Sequence, residues 1–181
     1  MDSNNHINIY ILAYQYDTKS MQKNNIYLIG DTHFYHKNIV KYCDRPENFN
    51  ELIWENLCKL KKGDILIHLG DICFGKDNEV HDRLSKYPFH KILIKGNHDK
   101  KTNTWYLNHG WDSVYKEFII ELRGQFMVFT HAPVELESPI TLNIHGHLHQ
   151  SFEFVEPGHR LFSLEANNYK PVNLTEFLKT I

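Results

Sequence analysis

Five short apolar segments of this chain each end in side chains able to bind a metal ion, and no other sequence feature constrains the fold as strongly. The clearest example is KILIKGNHD, from Lys91 to Asp99, where a buried-strand pattern ends in Gly96 followed by Asn97, His98 and Asp99. Glycine permits a turn that a residue with a Cβ atom resists. In open α/β sheets, ligands bind at the edge formed by the carboxyl ends of the strands. We therefore expect these three polar residues to lie at such an edge.

The other four segments end in residues of the same type. Alternating strand and helix patterns in the first half of the chain predict a largely parallel sheet, which would bring successive strand ends to one edge. Residues two apart share a face while the chain is extended, so an Asp-x-His or His-x-His pair can direct both side chains into one pocket. The residues concerned are Asp31 and His33, then Asp71, then His131, and finally His147 and His149.

With Asn97, these residues provide two carboxylates, one amide oxygen and four imidazoles. That is too many ligands for one tetrahedral ion, and enough for two ions if one carboxylate bridges them. Because no cysteine belongs to the group, a thiolate zinc site is disfavoured, and mixed nitrogen and oxygen ligands suit Mn, Fe or Zn. The sequence therefore indicates a site for two divalent metal ions.

Composition excludes several classes of protein. A chain of 181 residues with 41% hydrophobic residues can bury the core of one domain. It contains no apolar run near the roughly 18 residues of a membrane span, and its N-terminus lacks the pattern of a secretory signal. A formal charge of −2 argues against an extended nucleic-acid surface. Three cysteines without a CxxC pair favour a reducing compartment, so we expect a cytoplasmic protein without a membrane partner.

The chain divides into an N-terminal extension and one domain. Residues 1–22 form the extension, in which Ile9 to Tyr16 could add an edge strand, and residues 23–181 form the domain. Helical spacing predicts a helix capped by Asn50 and a closing helix capped by Asn173, with Glu176 completing a capping box. Further segments predicted as helices are Asp77 to Lys86 and Thr102 to Asn108, and those predicted as strands are Ile26 to Ile29, Ile65 to Leu69, Val114 to Leu122, Phe126 to Phe129, Phe152 to Val155 and Arg160 to Leu164.

The ordered motifs GDTH, GD, GNHD, His131 and GHLH resemble those of the calcineurin-like metallophosphoesterase superfamily, over roughly Ile26 to His149. The chain looks most similar to small, cap-less phosphoesterases of bacteria and bacteriophages, whose first motif often continues as DTHFYHKNI before a pair like Arg45-Pro46. This resemblance implies an α/β fold, a sandwich of two β-sheets flanked by helices, with the metal site at the carboxyl ends of the strands. It also implies an origin in a bacterial cell or a phage.

The resemblance also implies a role for each motif residue. Asp71 would bridge two ions, manganese being the favoured metal. His98 would donate a proton or stabilise the phosphate, and Asp99 would orient His98. One ion would be held by Asp31, His33, Asp71 and His149, and the other by Asp71, Asn97, His131 and His147.

These residues predict a hydrolase of phosphodiesters, phosphomonoesters or both. Two adjacent cations can bind a phosphate and lower the pKa of a bridging water, and the resulting hydroxide would attack phosphorus. His98 would protonate the leaving group, a contribution typically of about 10²–10⁴-fold. The partner would be a small phosphate ester or nucleotide, and the protein a monomer or small homo-oligomer. Two alternatives stay open: a nuclease acting on short oligonucleotides, and a non-catalytic binding module of the same fold.

Several further residues admit two interpretations. His36 either lines the pocket or belongs to an ordinary helix start, and Arg45 either contacts substrate or forms a loop salt bridge. His145 is expected to support a ligand or a loop, and His68 to be a hydrogen-bonded core residue. The aromatic residues after the motifs either pack or stack on a nucleobase; they are Phe34, Tyr35 and Phe74.

Overall fold

A computed structural model describes residues 25–122 and 124–179. The predicted extension over residues 1–22, with its edge strand at Ile9 to Tyr16, lies outside the described residues. None of the described helices is both long enough and apolar enough to cross a membrane.

Nine strands occur in the described part of the chain. They are β1 (Ile26–Ile29), β2 (Ile65–His68), β3 (His90–Ile94), β4 (Ser113–Tyr115), β5 (Glu117–Leu122), β6 (Gln125–Thr130), β7 (Ile140–His145), β8 (His159–Leu161) and β9 (Val172–Asn173). The helices are α1 (Ile39–Tyr42), α2 (Phe49–Leu57), α3 (Asp77–Ser85), α4 (Asn103–Asn108) and α5 (Leu174–Lys179), with a 3₁₀ helix at Phe152–Phe154.

The strands form two sheets, as the resemblance implied. The first has the order β4-β3-β2-β1-β9, in which β1 to β4 are parallel and β9 is antiparallel to β1. The second has the order β5-β6-β7-β8, in which only the β5–β6 hairpin is antiparallel. Every residue of β2 is buried, because a parallel sheet covered on both faces needs apolar side chains on both.

Both sheets contribute to one hydrophobic core. Leu28 and Ile67 of the first sheet and Phe129 and Ile144 of the second are fully buried in the same cluster. The predicted helices over Asp77 to Lys86 and Thr102 to Asn108 are confirmed as α3 and α4. The Thr102 hydroxyl accepts the Trp105 backbone N–H at 3.1 Å and so caps α4.

The prediction of one strand from Val114 to Leu122 is wrong. The segment divides at the exposed residue Lys116 into β4, which belongs to the first sheet, and β5, which belongs to the second. Because both halves keep a β pattern, the sequence does not reveal that the chain passes from one sheet to the other. The tertiary pairing with β3 on one side and β6 on the other decides it.

Asn50 does not cap α2, which begins at Phe49. Its side-chain oxygen instead accepts the backbone N–H of Tyr35 at 2.9 Å, a tertiary contact that competes with local capping.

The cap of the closing helix is confirmed, since Asn173 Oδ1 accepts the Thr175 N–H at 2.9 Å. Glu176 does not complete a box there, because it pairs with Lys179 at 2.8 Å.

Two predictions near the C-terminus also need correction. Phe152 to Val155 is not a strand but contains the 3₁₀ helix, whose local bonds, such as Val155 N–H to the Phe152 carbonyl at 3.2 Å, replace strand pairing. The strand predicted over Arg160 to Leu164 ends at Leu161, because the chain enters a turn in which the Asn167 N–H bonds to the Ser163 carbonyl at 3.2 Å.

Candidate metal centre

The candidate ligands meet at the carboxyl ends of five strands. Asp31 and His33 follow β1, Asp71 follows β2, and Asn97 follows β3. In the second sheet, His131 follows β6, and His147 and His149 follow β7. The two sheets therefore contribute to one site, which only their mutual packing brings together.

Asp71 lies at the centre of the site. Its Oδ2 atom is 3.6 Å from His33 Nε2 on one side and 3.5 Å from His131 Nε2 on the other. Its Oδ1 atom accepts the backbone N–H of His98 at 2.8 Å. The carboxylate thus lies between an imidazole of the first sheet and an imidazole of the second.

The ligand atoms form two groups, and the atoms of each group lie within 4.8 Å of one another. One group consists of Asp31, His33 and His149, and the other of Asp71, His131 and His147. Asn97 adds its side-chain oxygen to the second group, 2.9 Å from His131 Nε2. All seven predicted ligands are therefore brought together.

Five of the seven candidate ligands have a backbone in the left-handed region, which non-glycine residues seldom adopt. Their φ angles are 49° at Asp31, 45° at His33, 55° at Asp71, 68° at His147 and 52° at His149. Such conformations cost free energy and persist where surrounding contacts impose them. The strain is therefore concentrated where the side chains converge.

Two glycines let the backbone approach the carboxylates. A Cβ atom on Gly96 would collide with Asp71 Oδ1, and one on Gly146 would collide with Asp31 Oδ2. The next residues use this space, because His147 donates its backbone N–H to Asp31 Oδ2 at 2.9 Å. Glycine in GNHD and GHLH is thus required by contact as well as by turn geometry.

The hydrogen bonds of His131 define its tautomer. Its Nδ1 atom lies 2.8 Å from the Leu69 carbonyl oxygen, which can only accept, so Nδ1 carries the proton. The lone pair of Nε2 then faces Asp71 and Asn97. A backbone carbonyl that fixes the outer nitrogen of an imidazole is a common arrangement around metal ligands.

Burial shifts the pKa values of two residues in the first ligand group. Burial raises the pKa of the Asp31 carboxyl group to about 6, although His131 and His149 act in the opposite direction. Burial, together with the neighbouring His149 and Arg45, lowers the pKa of His33 to about 2. The Oδ1 atom of Asp31 is buried and has no hydrogen-bond partner among the described residues, as a coordinating oxygen would require. The donors thus fit a divalent cation.

Asp99, which the resemblance assigns to orienting His98, bonds to backbone groups of two loops. Its Oδ2 atom accepts the backbone N–H groups of Asp71 and Gly96, both at 2.8 Å, and its Oδ1 atom accepts that of Ile72 at 3.1 Å. Asp99 therefore ties the loop after β2 to the loop after β3. Its influence on His98 passes through the backbone.

His98 projects from this loop into the cleft. Its side chain keeps 37% of its surface exposed, and its Nε2 atom lies 3.9 Å from Asp71 Oδ2. A partly exposed imidazole beside the Asp71 carboxylate can reach a bound molecule from the solvent side.

Arg45 is a buried structural residue and does not reach the cleft. Its guanidinium pairs with Glu165 at 2.6 Å, and the two side chains are 0% and 2% exposed. It also donates to the carbonyls of Asp31 at 2.7 Å and Thr32 at 3.0 Å, which fixes the backbone of the first motif. The interpretation of Arg45 as a salt-bridge residue, and not as a substrate contact, is confirmed.

Sequence reasoning missed Glu165. Its Oε1 atom lies 3.2 Å from His149 Nδ1, and with Cys43 and His149 it forms a third cluster of potential metal ligands. Burial disfavours the charged form of His149. Hydrogen bonds with Cys43 and Glu165 outweigh this effect and raise the pKa of His149 to about 10. The bond with His149 and the charge of Arg45 lower the pKa of Glu165 to about 2 despite its burial. No motif marks Glu165, since it lies 16 residues beyond His149.

Three further histidines, His36, His68 and His145, differ in how deeply they are buried. His68 is a satisfied core residue, as predicted: Gly70 donates its N–H to Nδ1 at 3.1 Å, and Nε2 contacts the Thr32 hydroxyl at 3.0 Å. His145 is fully buried, and its Nδ1 lies 2.9 Å from the Gly146 carbonyl, which supports the GHLH loop as expected. His36 lines the cleft beside His33, with ring centroids 5.5 Å apart.

The fold and the donor groups together define a metal-binding α/β protein of the phosphoesterase type. The sequence profile of the calcineurin-like phosphoesterases matches residues 25–175, and the chain belongs to this family.

The chain is similar to several individual proteins. An uncharacterized protein of Methanocaldococcus jannaschii is 34% identical over 181 residues, covering 89% of this chain and 93% of that protein. A crystal structure of a protein of unknown function from Aquifex aeolicus matches with a TM-score of 0.72 and 31% identity, over 87% of this chain and all of that one. A novel archaeal phosphodiesterase matches with a TM-score of 0.46 and 17% identity, over 77% of this chain and 82% of its own.

Proposed function

We propose that this protein is a dinuclear metal-dependent phosphoesterase that hydrolyses phosphodiesters, phosphomonoesters or both. The observation that carries the proposal is the position of Asp71 between one imidazole of each ligand group, 3.6 Å from His33 and 3.5 Å from His131. One group supplies Asp31, His33 and His149, and the other His131, His147 and Asn97, so that Asp71 would be shared. Mn, Fe and Zn suit these donors, and manganese is the metal we favour.

Two bound divalent ions would supply positive charge to the phosphoryl oxygens and acidify a water molecule. The residues of the chain position the reactants. The cleft around the ligands has a volume of ≈ 910 Å³ and includes His36, Phe74 and His98 in its wall. His98 stands one residue beyond the candidate ligand Asn97, which places its imidazole beside a phosphate held at the site.

His98 would donate a proton to the oxygen of the leaving group. In the net reaction, a bond forms between phosphorus and the oxygen of water, and the bond to the leaving oxygen breaks. The leaving oxygen takes the proton of His98, and the proton released by water restores the imidazole through the solvent. No side-chain nucleophile takes part. Asp99 would contribute by holding the backbone that carries His98.

The test is a metal-dependent hydrolysis screen. Protein stripped with a chelator is supplied with Mn²⁺, Fe²⁺ or Zn²⁺ and assayed with bis(p-nitrophenyl) phosphate as diester and p-nitrophenyl phosphate as monoester. We expect hydrolysis that depends on metal. A folded protein that remains inert towards both esters with every metal would leave the binding-module alternative in place of the enzyme.

The Asp71→Asn variant tests the shared ligand. Loss of the bridging charge is expected to lower the content of both ions together, measured by elemental analysis after equilibration at limiting metal. Asp112→Asn is the control, since this half-exposed carboxylate precedes β4 at the opposite edge of the sheet. Retention of one full equivalent of metal by Asp71→Asn would contradict the bridging role.

A further inference from the structure

Phe74 is an exposed aromatic side chain beside the metal centre. It follows Asp71 by three positions and keeps 50% of its surface exposed, although it is a large apolar residue. Tyr42, on the same cleft, is 72% exposed. Phe34, the other phenylalanine beside a motif, is 1% exposed and stacks on Trp54 at 4.0 Å, so it belongs to the core.

The Phe74 ring contacts both histidines at the mouth of the cleft. It stacks on His36 with centroids 4.3 Å apart and an interplanar angle of 24°. It meets the His98 ring edge-on at 5.6 Å and 65°. The proposed proton donor therefore stands directly against this aromatic surface, and a group whose oxygen is protonated by His98 would lie on it.

A second cavity continues outward from this point. It has a volume of ≈ 690 Å³, and His36 and Phe74 line both it and the cleft that holds the ligands. Val40 and Phe49 contribute apolar surface to its wall. Its charged lining consists of Lys37, Lys41, Lys76 and Glu47, and Lys76 also pairs with Glu79 at 3.1 Å. The lining keeps an excess of positive charge, which complements an anionic ligand.

We propose that Phe74 and His36 form a leaving-group subsite for the base of a nucleoside, so that the substrates are nucleotide phosphodiesters. This inference rests on the proposed function and specifies its substrate class. Aromatic side chains bind bases of any sequence by stacking, and neighbouring lysines hold the phosphate backbone. The two ligand groups would hold the phosphate that is cleaved. Phe74 would stack on the base of the departing nucleoside. The lysine-lined cavity would accept the part of the nucleotide that extends beyond this base.

The subsite explains the orientation of the substrate as well as its binding. With a nucleoside on Phe74, its ester oxygen would face His98, whereas the reversed substrate would direct its nucleoside away from the aromatic surface. Stacking would therefore favour breaking the P–O bond on the nucleoside side. Water would add to phosphorus, and the nucleoside would leave as an alcohol with the proton of His98.

The methyl ester of thymidine monophosphate tests this preference within one molecule. Cleavage on one side gives thymidine and methyl phosphate, and cleavage on the other gives methanol and thymidine monophosphate, which chromatography separates. The wild-type protein loaded with Mn²⁺ should favour the release of thymidine by a factor between about 5 and about 150, the range that corresponds to base–aromatic stacking. The Phe74→Ala variant should lower this ratio towards one, and Phe74→Trp should preserve it.

The product ratio separates the subsite from damage to the metal centre, because weaker metal binding slows both cleavages equally. Leu107→Ala is the control, since Leu107 is 46% exposed on α4 and does not line the cleft. A ratio unchanged in Phe74→Ala, or a ratio near one in the wild-type protein, would overturn the proposal.

Failure of the proposed function itself would be visible separately, as absence of bis(p-nitrophenyl) phosphate hydrolysis with every metal. In that event, equilibrium binding of thymidylyl thymidine, a dinucleoside monophosphate, decides the question. Binding at least about fivefold weaker in Phe74→Ala than in the wild-type and Leu107→Ala proteins would support the nucleoside subsite. Equal binding by all three would overturn it.

Discussion

Asp99 binds the backbone of Asp71, since its Oδ2 atom accepts the Asp71 N–H at 2.8 Å. The same oxygen accepts the Gly96 N–H at 2.8 Å, and the other oxygen accepts that of Ile72 at 3.1 Å. One buried carboxylate thus satisfies three backbone donors from two loops, although burial raises its pKa. The last residue of GNHD consequently holds the position of the Asp71 carboxylate, which lies between His33 and His131.

We predict that Asp99→Asn destabilises the protein and weakens metal binding. The amide group of asparagine presents its own N–H atoms to backbone donors, and each buried donor left unpaired costs about 1–3 kcal/mol. Urea unfolding and metal titration would measure the two effects. Asp112→Asn serves as the control, because its carboxylate is 43% exposed. A stable variant with normal metal affinity would contradict the role of Asp99.

His98→Ala is predicted to retain both metal ions and to lose turnover. Loss of a general acid typically costs about 10²–10⁴-fold with a poor leaving group. The loss should be much smaller with bis(p-nitrophenyl) phosphate, since p-nitrophenolate departs without protonation. Rates with this ester and with thymidylyl thymidine, measured beside metal content, check the prediction. His90→Ala, an exposed histidine at the other end of β3, is the control. Equal rates of thymidylyl thymidine hydrolysis by the wild-type and His98→Ala proteins would refute the role.

Arg45→Met should destabilise the protein by about 3–5 kcal/mol, because it removes the guanidinium that pairs with the buried Glu165 carboxylate. The same change frees the Asp31 carbonyl that Arg45 binds at 2.7 Å. Denaturant unfolding would measure this loss. In Lys179→Met, which breaks the exposed pair with Glu176, we expect a change within about 0.5 kcal/mol. Similar losses of unfolding free energy in the two variants would contradict the expectation that the buried Arg45–Glu165 pair contributes more to stability than the exposed pair.

His81 should make stability depend on pH. Burial lowers its pKa to about 3, and the Trp111 indole N–H donates to its Nδ1 at 2.9 Å, so the folded state holds it neutral. Because the unfolded chain takes up this proton near pH 6.5, the contribution is full above that pH and is lost as the pH falls towards 3. One proton corresponds to a slope of about 1.4 kcal/mol per pH unit.

The His81→Gln variant keeps a hydrogen-bond acceptor for Trp111 but does not titrate. Its free energy of unfolding, measured between pH 7 and pH 4, should therefore fall less steeply than that of the wild-type protein. His90→Gln, at an exposed position, should behave as the wild type does. Parallel curves for all three proteins would contradict a neutral buried His81.

The sequence determined which residues meet at the site and on which elements they stand. Apolar strands that end in GD, GNHD and GHLH allow few other arrangements, because parallel strands place their carboxyl ends at one edge. The local signals of α3, α4 and the cap of α5 were equally readable, since capping and helical spacing depend on neighbouring residues alone.

Tertiary structure decided what depends on residues far apart in the chain. It divided Val114 to Leu122 between two sheets and gave Asn50 to the Tyr35 N–H instead of a helix cap. It also brought Glu165 to Arg45, across 120 positions, and so to His149. Sequence periodicity indicates whether a residue is buried or exposed, but it does not identify a partner that is distant in the chain. A charged residue buried between two loops finds its partner only when both loops have folded into place.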